Sequence, residues 1–342
     1  MTRGSNAEKA DSVQHPHDRT LRDVLADRAY FAGESRSILP APFVAELTRR
    51  GNLDQLIAAP TEFVDDTLGQ RTCDLLYYGY LDGEKIYYLL LEHQSTCDHW
   101  MAFRVLEYAV GIWRRHLKDH PTDRYLPLVV PMVLYQGPQP WTAPLDLADL
   151  FRLDAPMCAA LGALLPRFRY VLDDLTQVDE AALRSRPMPE GAQLLLWLLK
   201  TIPGNPDAPT TLAGWSDILR SLGADPARER ELATILTYIR NSGRTPKLQL
   251  QQFIRTLGPE VEKVYTSTTD EIRAEMRAEM RAEIRAEVQV RTLLRLLTMK
   301  FGSVDTVTHE RLRHASAAQL DSWTDRIISA TTLDELFADE PA

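Results

Sequence analysis

The chain has 342 residues, 44% of them apolar, enough to bury one sizeable domain and a smaller companion, which argues against a disordered polypeptide. Its net charge of −9 excludes a diffuse attraction to nucleic acid, because that attraction comes from clustered Lys and Arg displacing counterions. Cys73, Cys97 and Cys158 form neither a disulfide framework nor a zinc spacing, so they read as structural thiols in a reducing compartment.

Residues 1–14 lack an apolar core and are expected to be a disordered tail, neither signal peptide nor anchor. No run approaches the ~20 apolar residues of a membrane span, so the expected location is the cytoplasm. Asp18 is placed to cap a helix through Leu21, Val24 and Leu25. His17 and Asp18 also stand where a first helix could lend an acid to a metal, although the cap explains them more simply. The Pro40-Ala41-Pro42 segment interrupts the helical region before Phe43 to Leu47.

The most informative stretch follows. The run Arg71 to Leu81 predicts one strand carrying Asp74, and the run Lys85 to Leu91 predicts a second that ends at Glu92; Asp82-Gly83 between them is a turn signal. Ile86 to Leu91 is apolar on both faces, as a central buried strand would be. Register decides the chemistry, because a one-residue slip moves a side chain to the other face. A three-residue loop over Asp82, Gly83 and Glu84 sets Asp74 opposite Glu92, with Cβ atoms ~5 Å apart. A two-residue turn would oppose Asp74 to Leu91. The first register is the expected one, and it places Cys73 on the strand face opposite Asp74. Two facing carboxylates repel unless they share a proton or meet a cation. Oxygen ligands of this kind suit Mg²⁺, with Mn²⁺ or Ca²⁺ as alternatives, in phosphate chemistry. Gln94 projects from the same face as Glu92 and would orient a water or a phosphate oxygen. Asp65 and Asp66, just before the site strand, are further candidate metal ligands or ordinary turn residues.

A helix from Met101 to about Leu117 has Phe103, Leu106, Val110 and Trp113 at helical spacing. It also carries Arg114, Arg115, His116, Lys118 and His120, either a solvated face or a local nucleic-acid contact. Leu126 to Tyr135 reads as a nearly continuous apolar strand ended by Gly137-Pro138, so that strand, helix and strand suggest a mixed α/β core with a crossover. From Leu145 the signals are helical, including Gly191 to Leu199. Residues 273 to 288 repeat Arg-Ala-Glu-Met twice, then Arg-Ala-Glu-Ile and Arg-Ala-Glu-Val. All are compatible with a helix, but the four-residue period stacks like charges at i, i+4, so the segment reads either as a linker helix that would gain from a partner or as a solvated spacer. Val290 to Phe301, with Leu293, Leu294, Leu296 and Leu297, continues it, and Gly302 stops it.

Pro16-His17-Asp18, Phe63 to Asp66, Cys73 to Tyr77, Leu90 to Ser95, Phe103-Arg104, Tyr108 and Pro127 to Gly137 together resemble the Rpn family of recombination-promoting nucleases, also described as transposases. That family falls within the PD-(D/E)XK nuclease superfamily. The resemblance covers residues 15 to 205 and implies an αβββαβ core that cleaves DNA with a metal ion. Position by position it implies Asp74 as the strand acid, Glu92 as the acid of E-x-K and Gln94 in the place of its Lys, as is common in the family. Without that Lys, transition-state charge must be met by the metal or an Arg, and the resemblance puts Arg104 and Tyr108, with Asp18, in supporting roles. The tail, through Leu293 to Gly302 and Leu333-Asp334-Glu335-Leu336-Phe337, resembles a small helical domain of unknown function often appended to such nucleases.

The expected organisation is a nuclease domain over 15–205, a helical extension over 206–269, the repeat helix over 270–290 and a small helical domain over 291–342. The expected function is a Mg²⁺-dependent DNA endonuclease promoting recombination. The alternatives are a catalytically weakened member that binds DNA or protein, and a scaffold that oligomerises through residues 270–290 and the C-terminal domain.

Overall fold

The computed structural model describes residues 26–65, 69–83 and 85–337. His17, Asp18, the helix expected after them and Asp66 lie outside the described residues. Asp65 is described in its backbone alone.

Helix α1 (Arg28–Ile38) begins where the Asp27 carboxylate accepts the Ala29 N–H at 2.7 Å. Pro40 ends that region and starts α2 (Ala41–Arg50). A Pro in the first turn of a helix costs no hydrogen bond, since that N–H would have no partner in any case. Then come β1 (Ile57–Ala58), β2 (Glu62–Asp65), β3 (Gly69–Thr72), β4 (Leu75–Leu81) and β5 (Lys85–Gln94). Helix α3 (Met101–Asp119), β6 (Leu128–Tyr135) and β7 (Val171–Asp174) complete the sheet region. The five-stranded sheet runs β1-β4-β5-β6-β7, and β2 pairs with β3 in a separate ribbon. Pairs β1–β4 and β4–β5 are antiparallel, while β5–β6 and β6–β7 are parallel. Helix α3 makes the crossover between β5 and β6, as a parallel connection requires.

The β4–β5 register runs from Leu75 opposite Leu91 to Leu81 opposite Lys85, the register of a three-residue loop. Asp82 (φ 54°) and Gly83 (φ 78°) take the left-handed backbone of that loop, and Arg50 pairs with the Asp82 carboxylate. Only Gly takes this conformation freely, although Asp tolerates it better than most.

The strand expected from Arg71 to Leu81 is two strands. Gly69–Thr72 pairs with β2, Leu75–Leu81 pairs with β1 and β5, and the chain bends at Asp74 between them. At the bend, side chains replace ladder bonds. The Asp74 N–H donates to Glu92, and the Asp74 carboxylate accepts the His93 N–H, so backbone groups that would otherwise be unpaired find partners. The bend breaks face alternation, and Cys73 does not lie on the face opposite Asp74. It is fully buried and clusters with Leu76, Leu90 and Tyr108 on the α3 side of the sheet.

Alternation along the strands splits the core into two layers. Leu75, Tyr77, Leu89, Leu91, Met132 and Leu134 face α1 and the helix α4 (Glu190–Thr201). Leu76, Leu90 and Val129 face Tyr108, Ala109 and Ile112 of α3, and Val133 meets Met101, Ala102 and Val105. The first layer does not stop near residue 205. It extends through Trp215, Leu219, Leu232, Ile235 and Ile254 to Tyr265, so the segments divided there in the sequence share one core. Trp215 is fully buried, its ring 6.3 Å from that of Trp197 and 3.7 Å beneath the Arg184 guanidinium. Trp215→Ala is expected to cost about 3–5 kcal/mol, as for large aromatic truncations in packed cores, when unfolding is followed in urea. A loss below about 1 kcal/mol would mean that residues 206–265 form a separate layer.

The same layer holds an ion cluster. Arg186 grips Asp173 of β7 at 2.7 and 2.8 Å and Glu34 of α1 at 3.0 Å. Burial, then the charge of Asp173, pushes the Glu34 carboxyl well above the ordinary glutamate range, against the pull of Arg186.

Chain contacts divide the molecule into Met1–Tyr265 and Thr266–Ala342. The repeat lies within one helix, α5 (Pro259–Phe301), with Arg277, Arg281 and Arg285 exposed. Gly302 (φ 88°) ends it. In the second unit Leu293 and Leu297 pack with Leu312, Leu320, Trp323, Ile327 and Leu336. Among the described residues, no helix is long and apolar enough to cross a membrane.

Candidate active site

Glu92 lies near the carboxyl end of β5, where β5 and the parallel β6 lead toward the first turn of α3. Its side chain shares the α3 face with Leu90, because residues two apart on a strand point the same way. Register brings Asp74 beside it. The Asp74 N–H donates to Glu92 Oε2 at 3.3 Å and Asp74 Oδ2 accepts the His93 N–H at 2.8 Å. Gln94 Nε2 donates to Glu92 Oε1 at 3.2 Å, and the Tyr108 hydroxyl, from α3, donates to the same oxygen at 3.4 Å. Arg104, one helical turn before Tyr108 and on the same helix face, places Nη1 3.7 Å from Glu92 Oε1.

Glu92 is only 5% exposed. Burial first, and the Asp74 charge second, push its carboxyl up to about 8, against the opposing pull of Arg104. Burial and the Glu92 charge likewise push the Tyr108 hydroxyl up, so Tyr108 remains a donor. Burial, with the charges of Glu92 and Asp74, raises the Cys73 thiol too; it is a packing group and no nucleophile.

The structure therefore brings together Asp74, Glu92, Gln94, Arg104 and Tyr108. The side chain of Asp65, and Asp18 and Asp66 entirely, lie outside the described residues. The cationic stretch on α3 is not a uniform surface. His116 is buried with Nε2 3.0 Å from Asp123, and Arg115 donates to the Pro60 carbonyl at 3.0 Å, while Lys118 and His120 are exposed. Asp98 was missing from the expected site. Its carboxylate forms an ion pair with Arg104 at 2.7 Å, off the line of a hydrogen bond. Its place three residues before Met101, at a helix start, was the signal available for it.

The pair itself offers carboxylate oxygens, the ligands that hard divalent cations prefer. Burial and the neighbouring Asp74 disfavour the charged form of Glu92, and a cation bound to its carboxylate would favour that form instead. Among the described residues, no group of three or more His, Cys, Asp or Glu could hold a metal ion. Two carboxylates are nevertheless a usual protein contribution for Mg²⁺, whose remaining positions go to waters and substrate phosphate.

By fold and site this is an α/β protein with a mixed five-stranded sheet, carrying a buried Glu92 at the end of its central strand with Asp74 of the neighbouring bend beside it. The family model described as "Putative transposase, YhgA-like" matches residues 15–230, and the chain belongs to that family. The chain is 32% identical over 131 residues to the recombination-promoting nuclease RpnD of Escherichia coli O157:H7, covering 37% of this chain and 48% of that protein. It is 35% identical over 124 residues to the recombination-promoting nuclease RpnC of Escherichia coli K12, covering 36% and 39%. It is 30% identical over 171 residues to the inactive recombination-promoting nuclease-like protein RpnE of the same strain, covering 49% and 54%. The matches thus span about half or less of these relatives' lengths. No solved structure matches the chain.

Proposed function

We propose that the chain is a Mg²⁺-dependent DNA endonuclease that promotes recombination, built on a PD-(D/E)XK-type core, with Asp74 and Glu92 holding the metal. One observation carries this reading: in a chain whose relatives include named nucleases, Asp74 and Glu92 meet on one face, with Gln94 bonded to Glu92. Bound there, the ion would supply an acidified water and a positive charge for the leaving oxygen. The protein's own part is positional. Tyr108 and the Asp74 N–H fix the two Glu92 oxygens, and the His93 N–H fixes Asp74. Gln94 orients the attacking water or a phosphate oxygen, and Arg104 supplies the transition-state charge that a Lys at position 94 would have met. With a net charge of −9, contact with DNA is local and falls to α3. Residues 15–205 carry this chemistry, and residues 270–342 serve self-association. Mn²⁺ or Ca²⁺ are the alternative ions, Asp65 and Asp66 the candidate further ligands and Asp18 a supporting acid.

A second reading, a catalytically weakened member that binds DNA or protein, has an observation in its favour. Gln94 stands where the superfamily has Lys, and one relative is named inactive. Supercoiled plasmid incubated with Mg²⁺, Mn²⁺ or Ca²⁺ separates the two. Cleavage by the wild type that is lost in Asp74→Ala supports the first. Equal cleavage by both removes the site assignment, and DNA binding without cleavage by either favours the second.

A further inference from the structure

Arg104 poses a problem for a cation site. Its guanidinium lies 3.7 Å from Glu92 Oε1, and an arginine beside a buried carboxylate ordinarily closes on it as a two-pronged pair. Closed in that way, it would neutralise the acids and take the place of the ion. Here the guanidinium is divided: Nη2 sits 2.7 Å from Asp98 Oδ2, which leaves Nη1 at the longer distance from Glu92. Asp98 is itself fixed from two sides. Its Oδ1 accepts the Trp100 N–H at 2.9 Å and its carbonyl accepts the Met101 N–H at 3.2 Å, so it is pinned to the turn that starts α3. Its side chain is 18% exposed, which protects the pairing from full solvent screening.

We infer that Asp98 is a positioning residue that holds Arg104 back from Glu92 and so keeps the Asp74–Glu92 pair open to a divalent cation. This rests on the reading of that pair as a metal site. Arg104 remains near enough to add charge when a phosphate arrives, without cancelling the charge that holds the ion.

Mn²⁺ binding by calorimetry on the full chain tests the inference. In Asp98→Asn the Asn oxygen still accepts the Trp100 N–H, so the turn survives, but the charge that holds Arg104 is gone. The Kd for Mn²⁺ is expected to rise at least about tenfold, in the range that orienting residues contribute to metal affinity, with the melting temperature nearly unchanged. Adding Arg104→Gln to Asp98→Asn should restore the affinity to near the wild-type value, because the competing cation is removed. A purely structural role for Asp98 would give no such rescue. Wild-type affinity in Asp98→Asn, or weak affinity that persists in the double variant, overturns the inference. Asp74→Asn keeps the two questions apart. If the wild type binds no Mn²⁺, or Asp74→Asn binds it equally well, the metal site itself is wrong and the role of Asp98 falls with it.

Discussion

Asp74→Ala is expected to reduce metal-dependent plasmid cleavage by about 10³-fold, roughly 4 kcal/mol of lost transition-state stabilisation, while leaving the protein folded. The two halves of that result have separate causes. Asp74 is one of the two carboxylates proposed to hold the ion, and among the described residues no third acid completes a metal-holding group with them. For folding, two effects oppose each other. The His93 N–H loses its acceptor at 2.8 Å, a cost of about 1 kcal/mol, but the buried Glu92 is relieved of a like charge. A melting curve close to that of the wild type, together with lost cleavage, is the predicted pair of observations. Cleavage at the wild-type rate contradicts the assignment of Asp74.

Glu92→Gln should separate stability from activity in the opposite direction. The folded protein holds the Glu92 proton up to about pH 8, whereas the unfolded chain releases it in the ordinary glutamate range. Between those limits the folded state binds more protons than the unfolded state, so stability falls as pH rises. The contribution of this group is complete below the unfolded value and is lost by the time pH passes the folded one. Gln carries no such proton. In urea with a chelator present, the variant is expected to match the wild type near pH 5 and to exceed it by about 3 kcal/mol near pH 8.5, although it neither cleaves nor binds metal. Parallel pH profiles would show that Glu92 is not buried as described. The same titration has a consequence for the ion. Binding must displace the Glu92 proton, so metal affinity in the wild type should strengthen as pH rises toward 8.

The hairpin register was legible in the sequence because its determinants are local: an Asp-Gly turn signal, and two runs whose apolar residues fix the face. Pairing of Asp74 with Glu92 followed from that register, and the i, i+4 spacing of Arg104 and Tyr108 made their common helix face legible as well. The bend at Asp74 was not legible. It arises from exchanges between side chain and backbone across 18 and 19 residues of sequence, and nothing in the run Arg71 to Leu81 announces it. Misplacing Cys73 followed from the same cause, since alternation was carried through a break. Two-residue β1 and four-residue β2, β3 and β7 are too short to show a period. The continuation of the core past residue 205 depends on contacts such as Trp197 with Trp215. The buried Arg186 joins Glu34 across 152 residues. Such contacts leave no local pattern. Asp98 differs, for its position before α3 was visible while its hold on Arg104 was not.

The central claim is that Asp74 and Glu92 share one metal ion. A crystal grown with Mn²⁺ and measured at a wavelength where manganese scatters anomalously tests it directly. An anomalous peak is expected between the two carboxylates, with Arg104 still paired to Asp98. An empty pair with Arg104 closed onto Glu92, or a peak bound elsewhere in the molecule, would contradict it.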